Sequence, residues 1–274
     1  MRELMHMDDA ALPNETLATI FHPLTGVFGS EVLNVDLSVL LGADKVADLV
    51  SGLKRYKVLV FREQHKVGPA ELLAVARHFG EPETAQHPTH ADLQGYPGVK
   101  ELISNLSDRS QVEVTENWHT DGATRKNTKA VSLLQAVDVP PYGRDTAFAD
   151  MEAIFSSLSR PMQAMLEGLT AIHTYGPRAA HIPPVEHPVV HIDPATGRKS
   201  LYVSRLYTTR IIGLKTDESD ALLAMLFAKT RLLEFQLRVS WRPGTIVIWD
   251  NEPTQHYLVF DRAYRRTMHR VMAL

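Results

Sequence analysis

Short runs of β-strand character recur along almost the whole chain, and they leave few architectures open. Residues 16–37 read as two short strands around the turn signal Pro23 to Gly26. Val58-Leu59-Val60-Phe61 is a continuous apolar run of the kind that is buried on both faces. Further strands are expected over Val99 to Ser104, Ala130 to Val137, Thr146 to Ala149 and Leu169 to Tyr175. Others follow at Val189 to Ile192, Leu201 to Val203, Phe235 to Trp241, Thr245 to Trp249, His256 to Phe260 and Arg266 to Met272. Helical periodicity is confined to a few segments. Ala43 to Tyr56 carries Val46, Leu49, Val50 and Leu53 at i, i+3, i+4 and i+7. A second helix is expected from Pro69, a first-turn residue, to about Phe79, with Gly80 as its stop. Met151 to Leu158, Pro161 to Leu166 and Asp217 to about Leu233 read as the rest. Closely spaced strands with inserted helices predict a mainly β, α+β domain: a sandwich or open barrel with α additions.

Three stretches fall outside this pattern. Gly80 to Pro97 is rich in Pro, His and Gly and has no apolar period, so it reads as a long loop of the lid kind. Asp108 to Glu116 and Gly176 to Pro188 are also irregular. Residues 1–15 lack periodicity and are expected to be flexible. With no repeat and no clean linker, residues 16–274 read as a single domain, and 274 residues suffice for a sizeable core.

Composition narrows the chemistry. The net charge of −3 gives no reason to expect a nucleic-acid partner. No apolar run approaches a membrane span, and the N-terminus has no apolar signal core, so a cytoplasmic protein without membrane contact is expected. The absence of cysteine removes disulfides, thiolate ligands and cysteine nucleophiles. Metal chemistry must then rest on His, Asp and Glu.

Two distant stretches can supply it: Asn117-Trp118-His119-Thr120-Asp121-Gly122 and Trp249-Asp250-Asn251-Glu252-Pro253-Thr254-Gln255-His256. On a strand, residues i and i+2 share a face, so His119 and Asp121 can aim at one point. His256 can join them across a folded-over sheet. Two imidazoles and one carboxylate on one side of a metal leave the other side open, which is the facial triad of non-haem Fe(II) oxygenases. His-X-Asp alone is a weak signal; its combination with the distant Trp-Asp-Asn-X-X-X-X-His and a following arginine pair is specific. Arg266 and Arg270 are four apart, so both point to the same side of a strand, and guanidinium matches carboxylate or sulfonate by paired hydrogen bonds. An inward guanidinium needs an anion, and Glu252 or Asp261 is the alternative partner for Arg270. His269 alternates with these arginines and should face away. His173, His181, His187 and His191 follow no single ligand template and read as loop or packed histidines.

The chain resembles the taurine dioxygenase (TauD/TfdA) family, the Fe(II)- and 2-oxoglutarate-dependent dioxygenases that include the 2,4-dichlorophenoxyacetate dioxygenases. Matches run almost end to end: Pro23-Leu24-Thr25-Gly26 through Val35-Asp36-Leu37, Val60-Phe61-Arg62, Phe79-Gly80, Trp118-His119-Thr120-Asp121 and Gly143 to Thr146. They continue through His187-Pro188-Val189-Val190, Thr208-Thr209-Arg210, Trp249-Asp250-Asn251, Gln255-His256-Tyr257 and Arg266 to Arg270. The resemblance implies a double-stranded β-helix (jelly-roll) core with flanking helices and lid loops. It also implies Fe(II), 2-oxoglutarate as co-substrate and O2, and hydroxylation of a small organic anion with release of succinate and CO2. By the same resemblance His119, Asp121 and His256 fall on the iron ligands. Thr146 and Arg266 fall on the residues that hold the far carboxylate of 2-oxoglutarate. Arg270, His87, His90, Thr115 and Tyr207 fall on substrate-contacting positions. A homo-oligomer, dimer or tetramer, is the expected assembly.

The chain departs from the family pattern at Glu252, where arginine is usual, and at His90 and Thr115, where the taurine enzyme has tyrosine and asparagine. Taurine is therefore not the expected substrate; Tyr207 favours a larger or aromatic-bearing anion. Two readings of other classes remain: a metal-dependent jelly-roll hydrolase or isomerase, which has no need of Thr146 and Arg266 in the site, and a non-catalytic jelly-roll binding protein.

Overall fold

Val58–Phe61 is buried along its whole length, because it runs through the middle of a sheet covered on both sides. The computed structural model describes residues 17–26, 28–84, 90–104, 117–126, 130–259 and 265–274. The expected flexible N-terminus therefore lies outside the described residues. The strands are β1 (Ile20–Pro23), β2 (Ser30–Leu33), β3 (Val58–Phe61), β4 (Asp92–Leu93), β5 (Tyr96–Ser104), β6 (Val131–Asp138), β7 (Thr146–Asp150) and β8 (Thr170–His173). They continue with β9 (Val185–Pro188), β10 (Val190–Ile192), β11 (Lys199–Leu201), β12 (Thr208–Ile211), β13 (Gln236–Val239), β14 (Ile246–Asp250), β15 (Thr254–Leu258) and β16 (Arg266–Ala273). The helices are α1 (Ala43–Tyr56), α2 (Pro69–Ala76), α3 (Met151–Ser156), α4 (Arg160–Glu167) and α5 (Thr216–Lys229).

Among the described residues the strands form four sheets. The large one runs β1-β2-β3-β14-β6-β16-β5-β4, and a three-stranded sheet, β13-β7-β15, faces it. Strand alternation sorts the side chains. Val58, Val60, Leu134, Val247, Trp249 and Met268 meet Phe148, Leu237 and Val239 between the two sheets. Leu59, Phe61, Leu133, Ile246, Ile248 and Val271 point the other way, onto α1 and α2. Alternate residues of β3 thus enter two different cores, which is why the run reads as continuously apolar. This is the mainly β jelly roll with helical additions expected from the sequence.

Three strands lay hidden in the sequence: the two-residue β4, inside the stretch read as a long loop, and β9 and β12. β9 pairs with β8 in the stretch expected to be irregular, and β12 pairs with β8 on the other side. In β9 the one buried residue is His187, so no apolar period exists to be read. β12 buries only Thr208 and Ile211 and carries a register shift between Thr208 and Arg210. Helix ends also differ. After α2 the chain tightens into i,i+3 bonds, His78 N–H to Val75 O (3.1 Å) and Phe79 N–H to Ala76 O (2.9 Å). α5 stops at Lys229, where Thr230 Oγ1 turns back to Phe227 O at 2.8 Å.

His173 and His187 are packed in the interior, their rings 5.2 Å apart and edge-on, with Tyr202 stacked on His173 at 5.8 Å. His181 is exposed. Burial, and then His187, hold the His173 pKa down to about 3. The unfolded chain therefore binds this proton below about pH 6.5 while the folded protein refuses it, so stability falls as pH drops. At pH 5 the cost is about 2 kcal/mol. His173→Phe is expected to lose less stability than wild type between pH 7 and pH 5, by about that amount, in denaturant titrations; equal losses would remove His173 as the cause.

Candidate active site

His119 and His256 meet as an antiparallel pair: His119 N–H donates to His256 O at 3.1 Å and His256 N–H to His119 O at 2.8 Å. Residues opposed in this way send their side chains to the same face, and the two ring centroids lie 4.1 Å apart. The chain then leaves the sheet in a turn that begins at Asp121. Regular strand alternation therefore does not aim Asp121, as the sequence pattern had implied; Asn251 and Ser132 do. Asn251 Oδ1 accepts from Asp121 N–H (3.3 Å) and from Trp249 Nε1 (2.9 Å). Its Nδ2 donates to Ala130 O (3.0 Å) and Ser132 Oγ (2.9 Å), and its backbone carbonyl accepts from Thr120 Oγ1. Ser132 Oγ then donates to Asp121 Oδ2 at 3.0 Å. The Trp-Asp-Asn motif is thus the clamp that brings the carboxylate to the histidines.

The result is a group whose three ligand atoms lie within 4.8 Å of one another, and it is the only such His, Asp and Glu group among the described residues. His256 Nε2 is 4.0 Å from Asp121 Oδ1. His119 Nδ1 donates to Asn117 O at 2.7 Å, which leaves Nε2 as a lone-pair donor. Burial lowers the pKa of both histidines, for His256 to about 3, so the imidazoles are neutral. Asp121 is pulled the other way. Burial opposes its ionisation, but the Arg270 guanidinium and the Ser132 hydroxyl outweigh that and hold it well below the usual carboxylate range. Two neutral imidazoles and one ionised carboxylate fit Fe(II). Phe148 and Trp249 pack on the His256 ring at 6.1 and 5.1 Å, and Tyr207 meets His119 edge-on at 6.1 Å.

Two arginines from β16 approach this centre. Arg266 is buried, donates from Nη1 to Arg144 O at 3.0 Å, and has its pKa lowered to about 9 by burial and by the Arg144 guanidinium. Thr146, buried on β7, accepts from Trp241 Nε1 at 3.0 Å. Arg270 donates from Nη1 to Asp121 Oδ1 at 3.4 Å. Of the protein carboxylates considered for Arg270, Glu252 sits instead beside His191 at 3.5 Å, and Asp261 lies outside the described residues. His90 stands close enough to Arg270, Asp121 and Lys100 to feel all three charges, and burial brings its pKa to about 4. His87 and Thr115 lie outside the described residues. His269 faces away, towards Gln64, His65 and Gln135, as expected.

Sequence reasoning missed Ser132, Arg144 and Lys100. Ser132 was legible as the one small polar residue early in an apolar strand. Arg144 lies in the Gly143 to Thr146 motif, buried and with φ of 59°. Lys100 stands opposite Arg270 in the β5–β16 register and pairs with Asp92 at 2.6 Å, facts that only strand pairing reveals.

Residues 20–272 match the family model described as taurine catabolism dioxygenase TauD, TfdA family. The chain belongs to this family. It is accordingly a 2-oxoglutarate-dependent dioxygenase that uses Fe(II) and O2. Among curated relatives, the alpha-ketoglutarate-dependent 2,4-dichlorophenoxyacetate dioxygenase of Cupriavidus pinatubonensis is 32% identical, the match covering 94% of this chain and 98% of that protein. The alpha-ketoglutarate-dependent sulfate ester dioxygenase of Pseudomonas putida is 31% identical over 93% of this chain and 89% of its own. A taurine dioxygenase from Burkholderia xenovorans superposes with a TM-score of 0.83 at 31% identity, covering 93% of this chain and 90% of that one. No helix among the described residues is long and apolar enough to cross a membrane.

Proposed function

We propose that this dioxygenase hydroxylates a small organic anion, such as a sulfonate, a sulfate ester or an aryloxy or other carboxylic acid, and releases succinate and CO2 from 2-oxoglutarate. The observation that carries the reading is the pair of guanidiniums on β16, Arg266 and Arg270, on the same side of the strand as the ligand cluster. One serves the co-substrate and the other the substrate. The family relatives that act on a sulfate ester and on 2,4-dichlorophenoxyacetate support an anionic substrate by their names.

In this reading residues 16–274 form one catalytic domain, and His119, Asp121 and His256 hold the iron. Iron, when bound, supplies the dioxygen activation that couples decarboxylation of 2-oxoglutarate to oxidation of the substrate. Arg266 and Thr146 hold the far carboxylate. Thr146 Oγ1 already accepts from Trp241, so its own hydroxyl hydrogen is available to that carboxylate. Arg270 takes the acidic group of the substrate. Its contact with Asp121 engages one N–H, and the fork has five to offer. His90 is neutral at pH 7 and contributes a hydrogen bond without competing for the anion. His87 and Thr115 are assigned beside it from the family pattern, and Tyr207 supplies an aromatic wall. Phe148, Trp249 and Tyr207 keep water from the ligand side chains.

A screen of sulfonates, sulfate esters, aryloxyacids and amino acids for substrate-stimulated succinate release tests the reading, with neutral amide analogues as controls. On the best substrate, Arg270→Ala is expected to raise KM by about 10- to 100-fold, since charged hydrogen bonds contribute roughly 1.5–3 kcal/mol. Arg270→Lys should recover only part of this, because lysine keeps the charge and loses the planar fork. An unchanged KM in Arg270→Ala, or an amide that reacts as well as the acid, would sink the assignment.

A further inference from the structure

Strand alternation gives each metal-ligand strand a second face. Trp118 and Tyr257 are the neighbours of His119 and His256, and their rings meet on the outer side of the small sheet, 5.5 Å apart. Ala147, between Thr146 and Phe148, faces the same way. α5 borders this face. Of the α5 residues that line the gap, Ala224 and Ala228, one helical turn apart, are small, and Phe227 beside them forms part of the wall. A cleft of about 550 Å³ remains, walled by Trp118, Tyr257, Phe227 and Val259. That volume lies in the usual range for small-molecule sites.

The charge in this cleft is one-sided. Arg205, Arg231 and Arg238 line it, and no Asp or Glu lies among its described lining residues. Arg238 is offset by Asp145 at 2.6 Å. Arg205 and Arg231 have no carboxylate partner among the described residues, and the described lining therefore carries a net positive charge. Flat aromatic surface in the same lining as guanidiniums without a carboxylate partner among the described residues is complementary to an anion with an apolar body.

We infer that this cleft, on the face of the sheet opposite the ligand cluster, is a second binding site for a small organic anion with an aromatic or other flat apolar body. Its occupant stacks on the Trp118–Tyr257 wall and presents its acidic group to Arg205 and Arg231. The site is separate from Arg270 and Arg266, which face the other side of the sheets, and it does not depend on the substrate assigned above.

The test is titration of the full-length protein with 8-anilinonaphthalene-1-sulfonate, followed by dye fluorescence, with Mn(II) and 2-oxoglutarate present to occupy the catalytic centre. Three proteins are compared: wild type, the double variant Arg205→Gln/Arg231→Gln, and Ala228→Trp, which fills the cleft from the helix and leaves the charges in place. The expected result is one saturable site in wild type, weakened about tenfold or more in both variants, as expected when a charged hydrogen bond or the apolar seat is lost. Their succinate-release activity should match wild type. Equal dye affinity in all three proteins would overturn the inference, and so would dye binding that disappears when the catalytic centre is filled. A wild type that is dimeric by light scattering, becomes monomeric in Ala228→Trp and binds no dye would assign the face to a second copy of this chain instead. The double variant alters only exposed side chains, so the comparison stands even where Ala228→Trp does not fold.

Discussion

His256→Ala and Asp121→Asn are each expected to take substrate-stimulated succinate release below detection while the protein stays folded. In the proposed triad His256 supplies one of three ligand atoms, and its ring is already neutral; no other His, Asp or Glu among the described residues joins the group to replace it. Asp121→Asn keeps the shape of the side chain but removes the charge that matches iron and Arg270. The loss should exceed the ~10- to 100-fold that removal of an outer hydrogen-bond partner of a metal site typically costs. The measurement pairs anaerobic Fe(II) binding with succinate assay and thermal melting. Full activity in either purified, iron-loaded variant would remove the triad assignment. Loss of folding in His256→Ala would shift the question to Asp121→Asn, whose packing is nearly unchanged.

Arg266→Ala is the second large effect. It is expected to raise KM for 2-oxoglutarate by at least about tenfold, because a bidentate pair contributes roughly 1.5–3 kcal/mol per charged bond. Thr146→Val should cost about 1 kcal/mol, close to fivefold. Arg265→Ala serves as the control: Arg265 is exposed, whereas Arg266 is 8% exposed, beside a second buried guanidinium, Arg144. Two such groups side by side at low solvent exposure favour an anion strongly. An unchanged KM in Arg266→Ala, or a larger change in Arg265→Ala, would overturn the register on which the co-substrate site rests.

Local pattern accounts for much of this protein. Among the described residues, most strands and the five helices lie where periodicity, Pro69 and the apolar runs put them, because burial on one face leaves a repeat that can be read along the chain. The metal group was legible because His119, Asp121 and His256 are chemically distinctive and sit in a specific motif pair. What remained hidden was set by contacts between distant segments. β9 and β12 carry no apolar period, and only their pairing with β8 makes them strands. Asp121 reaches the histidines because Asn251 and Ser132 hold it, and strand alternation had nothing to say about that turn. The place of Lys100 opposite Arg270 and the cleft behind Trp118 and Tyr257 depend likewise on which strands become neighbours. A sequence determines the period of each element and the chemistry it carries; which faces are then brought together is decided by packing across the fold, where residues far apart in the chain become neighbours in space.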